Sequence, residues 1–386
     1  MGNAALAASK SSVMDLALGL VGYMALFLGL MKVVEEAGGL KFMARVIRPV
    51  LIRLFPDVPP DHPAMGAMVM NLAANALGLG NAATPFGLKA MMELNKLNKE
   101  EGTATNAMVL FLALNTSGLA LLPTGMIGLR ALNGSTDPAA IFPTTLAATA
   151  CSTLVGVMAA KFLSRLPIFA QPEAQREADA AIAAEVDPGS LKDLIPMVIF
   201  GAIMISLVGV VYVYGEAASA WITPGLILGM LTVGVVRGVR VFETFVAGAK
   251  EAFSLAIMII PYLVGILFSI AMFRASGGLG WLVEKLSPIT EFIGMPAEVL
   301  PIALIRPLSG SGGFGVTAEV VQAHGPDTLI GQMATTLNGS TDTTFYVLAV
   351  YFGSVGISRI RHAVPAGLAA DLTGALAAVA AVHILL

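Results

Sequence analysis

Two stretches rich in glycine, asparagine, serine and threonine interrupt this chain at matching places in segments that are otherwise apolar enough to span a membrane. The first covers residues 71–85 and 115–118, and the second covers residues 309–319 and 338–344. Backbone polar groups in lipid must be satisfied internally, so irregular backbone persists there only against protein or a water-filled cavity. Interruptions at corresponding positions of two halves are the best sequence pointer to a transporter's binding site. The pattern therefore predicts one polar site built from both halves.

The composition places the chain in a membrane. Of its 386 residues, 56% are hydrophobic and 12% are charged, and the mean hydropathy is +0.83. An average soluble domain carries about 25% charged residues. The net charge of −3 gives no reason to expect a nucleic-acid partner. The single cysteine, Cys151, excludes a disulfide within one chain and a multi-cysteine metal site, and we expect it to be a small buried residue.

The predicted topology has about eight transmembrane helices and two re-entrant helical hairpins. A crossing needs about 20 mostly apolar residues. The regions 64–97 and 296–324 are each broken at a glycine-rich tip and are too short to cross twice, so we predict hairpins there. With both termini on the outer side, most of the 22 lysines and arginines lie inside, and Arg130 is among the few outside. The predicted crossings are 14–34, 105–126, 139–163, 193–214, 219–236, 252–275, 328–353 and 362–385.

An internal repeat organises the chain. The sequence Leu-Asn-Thr-Ser at 114–117 matches Leu-Asn-Gly-Ser at 337–340, and Gly-Leu-Gly at 78–80 matches Gly-Phe-Gly at 313–315. Each copy reads as span, hairpin, broken span and span. Five crossings precede the second copy, so the two repeats are predicted to be inverted.

The fold class is therefore an all-α integral membrane protein with two inverted repeats. We predict a first repeat at 1–165, a linker at 166–192, two connecting helices within 193–251 and a second repeat at 252–386. The charged, alanine-rich linker is expected to form a short surface helix on the inner side and to act as a solvated connector.

The two interrupted stretches also resemble a known family. Residues 70–87 are similar to the signature region of spore maturation protein A. Residues 305–313 and 337–344 are similar to spore maturation protein B. The chain thus resembles a fusion of the two, in the nucleoside recognition (Gate) group, which is similar to parts of concentrative nucleoside transporters. The resemblance implies paired re-entrant hairpins that meet two unwound helices at mid-membrane, an elevator-like movement and a homo-oligomer.

Polar residues at the four interruptions are the candidate ligands for a small solute. Helix N-termini there offer N–H groups to polar or anionic atoms, and helix C-termini offer carbonyls to cations. The alternative for any single side chain is a hydrogen bond to a neighbouring helix or a cap on a broken helix end. The predicted substrate-binding set is Asn71, Asn75, Asn81, Thr84, Asn115, Thr116, Ser117, Arg306, Ser309, Ser311, Asn338, Ser340 and Thr341.

Three residues are predicted to couple an ion. Asp342 lies centrally in the predicted span 328–353, where an ionised group costs at least a few kcal/mol, so it is a candidate site for Na⁺ or H⁺. Thr343 and Glu319 are its candidate companions. The alternative is a carboxylate locked to Arg306 or to backbone N–H groups. Arg306 could instead pair with Glu319 or hold an anionic substrate.

These features together predict a secondary transporter of a small polar or anionic solute in the bacterial inner membrane. We expect no cofactor beyond the coupling ion and no metal site. We find no nucleophile–base–acid set, so we expect no enzyme activity. The alternative is a non-transporting membrane factor that assists cell-envelope or spore-cortex maturation through partners.

Overall fold

The computed structural model describes residues 6, 10, 13–14, 18–78, 80–119, 121–187, 189–214 and 221–386. The side chains of 80–82, 211–212 and several residues between 255 and 289 lie outside that description. Within it the chain is helical, and the β-pairing is a single isolated bridge between Thr103 and Arg359. The predicted all-α class is therefore confirmed.

Seventeen α-helices lie in the described part of the chain, and short 3₁₀ turns at Pro167–Phe169 and Leu191–Leu194 flank the linker helix. In chain order the helices are α1 Leu18–Glu36, α2 Gly39–Leu54, α3 Pro63–Ala76, α4 Gly80–Lys96, α5 Asn106–Thr116, α6 Thr124–Leu132, α7 Ile141–Leu163, α8 Glu173–Glu185, α9 Ile195–Tyr214, α10 Ile222–Val236, α11 Val241–Ala275, α12 Gly278–Phe292, α13 Leu300–Ile305, α14 Gly310–His324, α15 Leu329–Ser340, α16 Thr344–Gly353 and α17 Ala363–Leu385.

Four helices of the described part are long and apolar enough to cross a membrane. They are Leu18–Glu36, Ile141–Leu163, Leu191–Val210 and Ala363–Leu385, and each corresponds to a predicted span. These helices therefore support the prediction of a membrane protein.

The other four predicted crossings correspond to helices whose bounds differ from the prediction. The two predicted broken spans are each divided into two short helices, α5 with α6 and α15 with α16. The span expected at 219–236 contains the 15-residue α10, and residues 219–220 lie outside the described part. The span expected at 252–275 is the second part of α11, which begins at Val241.

The two copies repeat the same order of elements, α1–α7 and α11–α17. The hydroxyl of Thr105 caps α5 by accepting a hydrogen bond from the Met108 amide at 3.2 Å, and Thr328 caps α15 in the same way. Both α2 and α12 follow a glycine with positive φ, Gly38 and Gly277. The most extensive helix packings are α7 with α17 and α1 with α11, so matching helices of the two copies pack together.

The linker forms the predicted surface helix, α8, and is attached to the rest of the chain by hydrogen bonds. Gln175 is only 3% exposed, and its side-chain oxygen accepts a hydrogen bond from the Lys99 amide at 2.6 Å. The guanidinium of Arg361 donates to the carbonyl of Phe169, just before α8. These hydrogen bonds fasten the linker to both copies, while most residues of α8 are exposed to solvent as expected.

Arg130 has partners that the sequence did not indicate, and Cys151 differs from its prediction. Arg130, expected at an outward end of the spans, lies in the last turn of α6 and is completely buried. Its guanidinium donates to the carbonyls of Pro138 and Asp137 and forms an ion pair of 2.9 Å with Asp327. Helix α6 continues past the expected end of its span at residue 126. Cys151 is exposed on α7 and not buried.

Candidate functional site

The two helix breaks touch each other. Helix α5 ends at Thr116, and the chain turns at Gly118 with φ of +63°. In the other copy α15 ends at Ser340 and the backbone runs extended through Thr341. A Cβ atom on Gly118 would lie 2.7 Å from the carbonyl carbon of Thr341, and the amide of Asp342 donates to the Thr116 carbonyl at 2.9 Å. The interruptions of both copies therefore form one structural unit.

Each helical hairpin is bonded to the broken helix of its own copy. In the first copy the side-chain amide of Asn75, on α3, donates to the side-chain oxygen of Asn115 at 2.9 Å. In the second copy the amide of Asn338 donates to the hydroxyl of Thr317, on α14, at 3.0 Å. The hairpin tip between α3 and α4 turns at Gly78, whose φ of +73° favours glycine.

A cavity of about 250 Å³ lies where these four segments meet. Its wall combines amides, one guanidinium and one carboxylate with backbone glycines and a few apolar side chains. Both copies contribute to the lining, which consists of Asn75, Gly78, Asn115, Gly118, Leu119, Leu122, Pro123, Thr124, Gly125, Met126, Arg306, Asn338, Gly339, Thr341 and Asp342.

Arg306 binds the broken helix of the second copy. Its Nε donates to the Asn338 carbonyl at 3.1 Å, one Nη donates to the Thr343 hydroxyl at 2.9 Å, and the other donates to the Thr341 carbonyl. The last carbonyls of a helix have no partner within the helix, and the guanidinium fork supplies one. Of the partners considered from sequence, the ion pair is with Asp342, at 3.8 Å.

Asp342 lies in the break itself and not inside a continuous helix. Its carboxylate accepts a hydrogen bond from the Thr343 amide at 2.7 Å, and its side chain is 48% exposed. The separation of 3.8 Å from Arg306 exceeds hydrogen-bond length, so the carboxylate is not locked into that pair. Asp342 is therefore a charged group in the cavity wall that a guest can reach.

Six of the predicted site residues line the cavity, and several others bond or cap their own helices. The lining residues are Asn75, Asn115, Arg306, Asn338, Thr341 and Asp342. The hydroxyls of Thr116, Ser117 and Ser340 donate to carbonyls three residues earlier in their own helices. Ser309 caps α14 by accepting from the Gly312 amide at 3.0 Å.

The remaining predicted residues are not among the described residues that line the cavity. Asn71 is completely buried on α3 and donates to the Ala83 carbonyl and the Tyr351 hydroxyl. Thr343 is held by Arg306. The others are Thr84 on α4, and Ser311 and Glu319 on α14, and none of these three is among the lining residues of the described part. The side chain of Asn81 lies outside the described residues.

Sequence reasoning missed Asp371 and its partner Thr344. Asp371 lies on α17 and is only 7% exposed, and one of its carboxylate oxygens accepts a hydrogen bond of 2.7 Å from the Thr344 hydroxyl. The signal was available, because an ionisable residue inside a predicted span marks a functional position by default.

Comparison with known proteins establishes the family. The nucleoside recognition family, Gate, matches residues 17–133 and 256–358, which include every residue that lines the cavity. The chain belongs to the Gate family. This Gate chain is 48% identical over 162 residues to spore maturation protein B of Bacillus subtilis (strain 168), an alignment that covers 42% of this chain and 91% of that protein.

A second relative completes the resemblance predicted from sequence. The chain is 42% identical over 156 residues to spore maturation protein A of the same strain, which covers 40% of this chain and 80% of that protein. No solved structure matches the chain. Its family, its relatives and its apolar helices make it a Gate membrane protein of bacterial type, and none of the three names denotes an enzyme.

Proposed function

We propose that this Gate protein is a secondary transporter of the bacterial inner membrane that binds a small polar or anionic solute in the cavity of about 250 Å³. The observation that carries the proposal is the direct contact of two helix breaks, one from each copy, at the wall of one polar cavity. Breaks at corresponding positions of two repeats are where transporters bind their substrates.

The chemistry of the wall suits a solute that both donates and accepts hydrogen bonds. Asn75, Asn115 and Asn338 contribute three side-chain amides, and Arg306 and Asp342 contribute one charge of each sign. Ligand pockets usually measure about 300–1,000 Å³, so a cavity of about 250 Å³ favours a compact metabolite. Nucleoside-like molecules and small organic anions both have this character.

The proposed topology keeps both termini outside and treats 64–97 and 296–324 as re-entrant hairpins between eight crossings of two inverted repeats. The unit that moves in an elevator-like step is the pair of hairpins with the two broken helices. The apolar helix α9 lies outside both repeats and exposes Ile203, Ile205 and Val213, which supports a place for it in lipid or between copies of a homo-oligomer.

Thermal unfolding of the protein in lipid nanodiscs tests solute binding. We expect one class in a panel of nucleosides, nucleobases, small carboxylates and amino acids to raise Tm of the wild type. Asn338→Ala and Asp342→Asn should remove that response, and the same solute should exchange across proteoliposome membranes in a counterflow assay.

Asn71→Ala is the matched control, because Asn71 is also a buried asparagine but lies outside the cavity lining. It should lower Tm yet keep the solute response. A panel without any response, or an equal loss in Asn71→Ala and Asn338→Ala, would contradict the proposal.

The names of the two relatives favour a second candidate, a membrane factor for envelope or spore-cortex maturation that acts through partners. In that case Asn338→Ala and Asp342→Asn should leave the envelope phenotype of a complemented deletion strain normal. Substitutions on the exposed face of α8, such as Arg176→Glu, should then abolish complementation. The reverse pattern supports transport.

A further inference from the structure

Asp371 carries a buried carboxylate oxygen without a hydrogen-bond partner. Its Oδ2 accepts from Thr344, but Oδ1 has no partner and no access to solvent. Gly367 and Gly374 flank it on the same face of α17, and these glycines leave room for the chain at 341–344: added Cβ atoms there would collide with Thr344 and Thr341. The α17 face thus presents a carboxylate to the second helix break.

The first copy fills the same position with a neutral residue. Helices α7 and α17 both have 23 residues, and both their starts and their ends lie 222 positions apart, which aligns Asp371 with Thr149. The Thr149 hydroxyl donates to the carbonyls of Ser117 and Gly118, at 3.0 and 2.7 Å, in the first helix break. A threonine is therefore sufficient to hold a helix break from this position.

A carboxylate in this position needs a further explanation. A side chain that supports a helix break must donate a hydrogen bond to the carbonyls of that break. An ionised carboxylate has no proton to donate. A charged group in a membrane costs at least a few kcal/mol unless something compensates it. Asp371 and Thr149 both lie outside the regions that match the Gate family, so the family match assigns a role to neither.

We propose that Oδ1 of Asp371 binds a monovalent cation, H⁺ or Na⁺, and that this is the coupling ion of the transport cycle. The inference rests on the proposed function and moves the ion from Asp342, which is open to the cavity, to Asp371, which is closed off. A bound cation neutralises the buried charge, and for Na⁺ the Thr344 hydroxyl oxygen is available as a second ligand.

The site is connected to the solute cavity through three neighbouring residues. Thr344 bonds Asp371, and the adjacent Thr343 accepts from Arg306, which lines the cavity. Arg306 and Asp342 are the charged groups that interact electrostatically with Asp371. An anionic solute beside Arg306 offsets its positive charge and so favours a cation at Asp371. By linkage the cation then favours the solute to the same extent.

Few other titratable groups face Asp371 from the helices packed against it. Helices α5 and α15 contain none in the sequence, since neither has an acidic, basic, histidine, cysteine or tyrosine residue. The titratable residues of the other packed helices are Cys151 and Lys161 on α7 and Tyr346 and Tyr351 on α16, with His383 at the end of α17 itself.

The test measures Tm of the full chain in nanodiscs without solute. One series exchanges choline chloride for NaCl at constant ionic strength, and a second lowers the pH in choline chloride. We expect a saturable rise of Tm in the wild type, with Na⁺ if the ion is sodium or with acid alone if it is a proton. Asp371→Thr, which installs the first-copy residue, should fold and lose this response, as should Asp371→Asn.

Glu291→Gln, at an exposed position, is the control and should keep the ion response. A wild type that responds to neither ion, or equal responses in wild type and Asp371→Thr, would overturn the inference. An ion response with no response to any solute would instead contradict the proposed transport function, so the two failures can be told apart.

A measurement on the wild type alone covers the case in which both Asp371 variants fail to fold. An apolar carbodiimide reacts with buried protonated carboxyl groups, and mass spectrometry locates the adduct. Labelling of Asp371 should fall on addition of Na⁺ for a sodium site, or fall with rising pH and not with Na⁺ for a proton site. Labelling that is absent, or that neither ion changes, would overturn the inference.

Discussion

The backbone amide of Asp342 donates a hydrogen bond of 2.9 Å to the carbonyl oxygen of Thr116, which joins the helix break of one copy to that of the other. An unsatisfied backbone group in the apolar part of a membrane costs several kcal/mol. This bond satisfies one backbone group of each break, so the two breaks support each other. The contact between the two breaks thus stabilises the wall of the polar cavity that both copies line.

Gly118→Ala should destabilise the protein by at least about 2 kcal/mol. A left-handed conformation costs a non-glycine residue about 1–2 kcal/mol, and the new Cβ would lie 2.7 Å from backbone of the other break. Gly66→Ala is the control, because Gly66 lies in α3 with nothing within 4 Å of the added atom. It should be neutral or gain up to about 1 kcal/mol. Chemical unfolding in detergent micelles compares them, and equal effects would contradict the close contact.

Arg306→Lys should loosen the second break at a cost of about 2–3 kcal/mol. An ammonium cannot reproduce the fork that reaches the Asn338 and Thr341 carbonyls and the Thr343 hydroxyl together. Hydrogen exchange at the Asp342 amide should become faster. Arg165→Lys, at an exposed position, should leave that amide unchanged. Unchanged exchange in Arg306→Lys would show that the guanidinium does not hold the break.

Asp327→Asn should cost about 3 kcal/mol, because it removes the counter-charge of the buried Arg130 guanidinium. Burial opposes ionisation of Asp327, but hydrogen bonds from Ser135 and Thr136 and the charge of Arg130 outweigh it and lower its pKa below 3.8. A lowered folded pKa contributes stability that is present above about pH 3.8 and is lost as the pH falls further.

Acid titration of unfolding checks this contribution. The wild type should lose stability below about pH 3.8 more steeply than Asp327→Asn, because the variant has no carboxylate there to protonate. Glu291→Gln, at an exposed position, should stay within about 0.5 kcal/mol of the wild type and keep its acid slope. Parallel acid curves for wild type and Asp327→Asn would argue against the ion pair.

The docking of the linker helix should weaken as the pH rises from about 4 to 6. A second cavity, of about 360 Å³, lies beneath α8 and is lined by Asp57 and Asp179 among others. Burial, and then the charge of Asp179, raises the pKa of Asp57 from 3.8 to about 6. The folded state therefore holds this proton more tightly than the unfolded state, so stability falls as the pH rises through this window and then levels off.

Limited proteolysis within 166–192 measures that docking. Cleavage of the wild type should be faster at pH 7 than at pH 4.5, after correction with a denatured substrate for the pH dependence of the protease. Asp57→Asn imitates the neutral form and should remove most of the difference. Asp61→Asn is the control, since the Asp61 side chain is fully exposed. A difference that persists in Asp57→Asn would place the pH response elsewhere.

The helical class, the repeat and the position of both helix breaks could be predicted from sequence. Composition excludes a soluble domain, and clusters of glycine with asparagine and threonine interrupt apolar segments only where helical geometry ends. Family membership followed from the same residues, because they carry the similarity to the two spore maturation proteins. The linker helix was also predicted, but not its attachment.

The failures concern side chains whose partners are distant in sequence. Arg130 reaches Asp327 across 197 positions, and Arg361 reaches Phe169 across 192. Asp371 faces Thr344 because α17 packs beside the second break, which no local pattern indicates. Sequence periodicity places a residue on a helix face, but it does not say which element covers that face.

The amino-acid sequence by itself determined that this chain enters a membrane as two similar copies and where each copy leaves helical geometry, because hydropathy and backbone preference are local properties. Only the tertiary structure decided which polar groups face the shared cavity. In a helix with 3.6 residues per turn, Asn115 faces the cavity while Thr116 and Ser117 turn back onto their own helix. The packing of α7 on α17 then sets Asp371 and Thr149 in corresponding places with different chemistry.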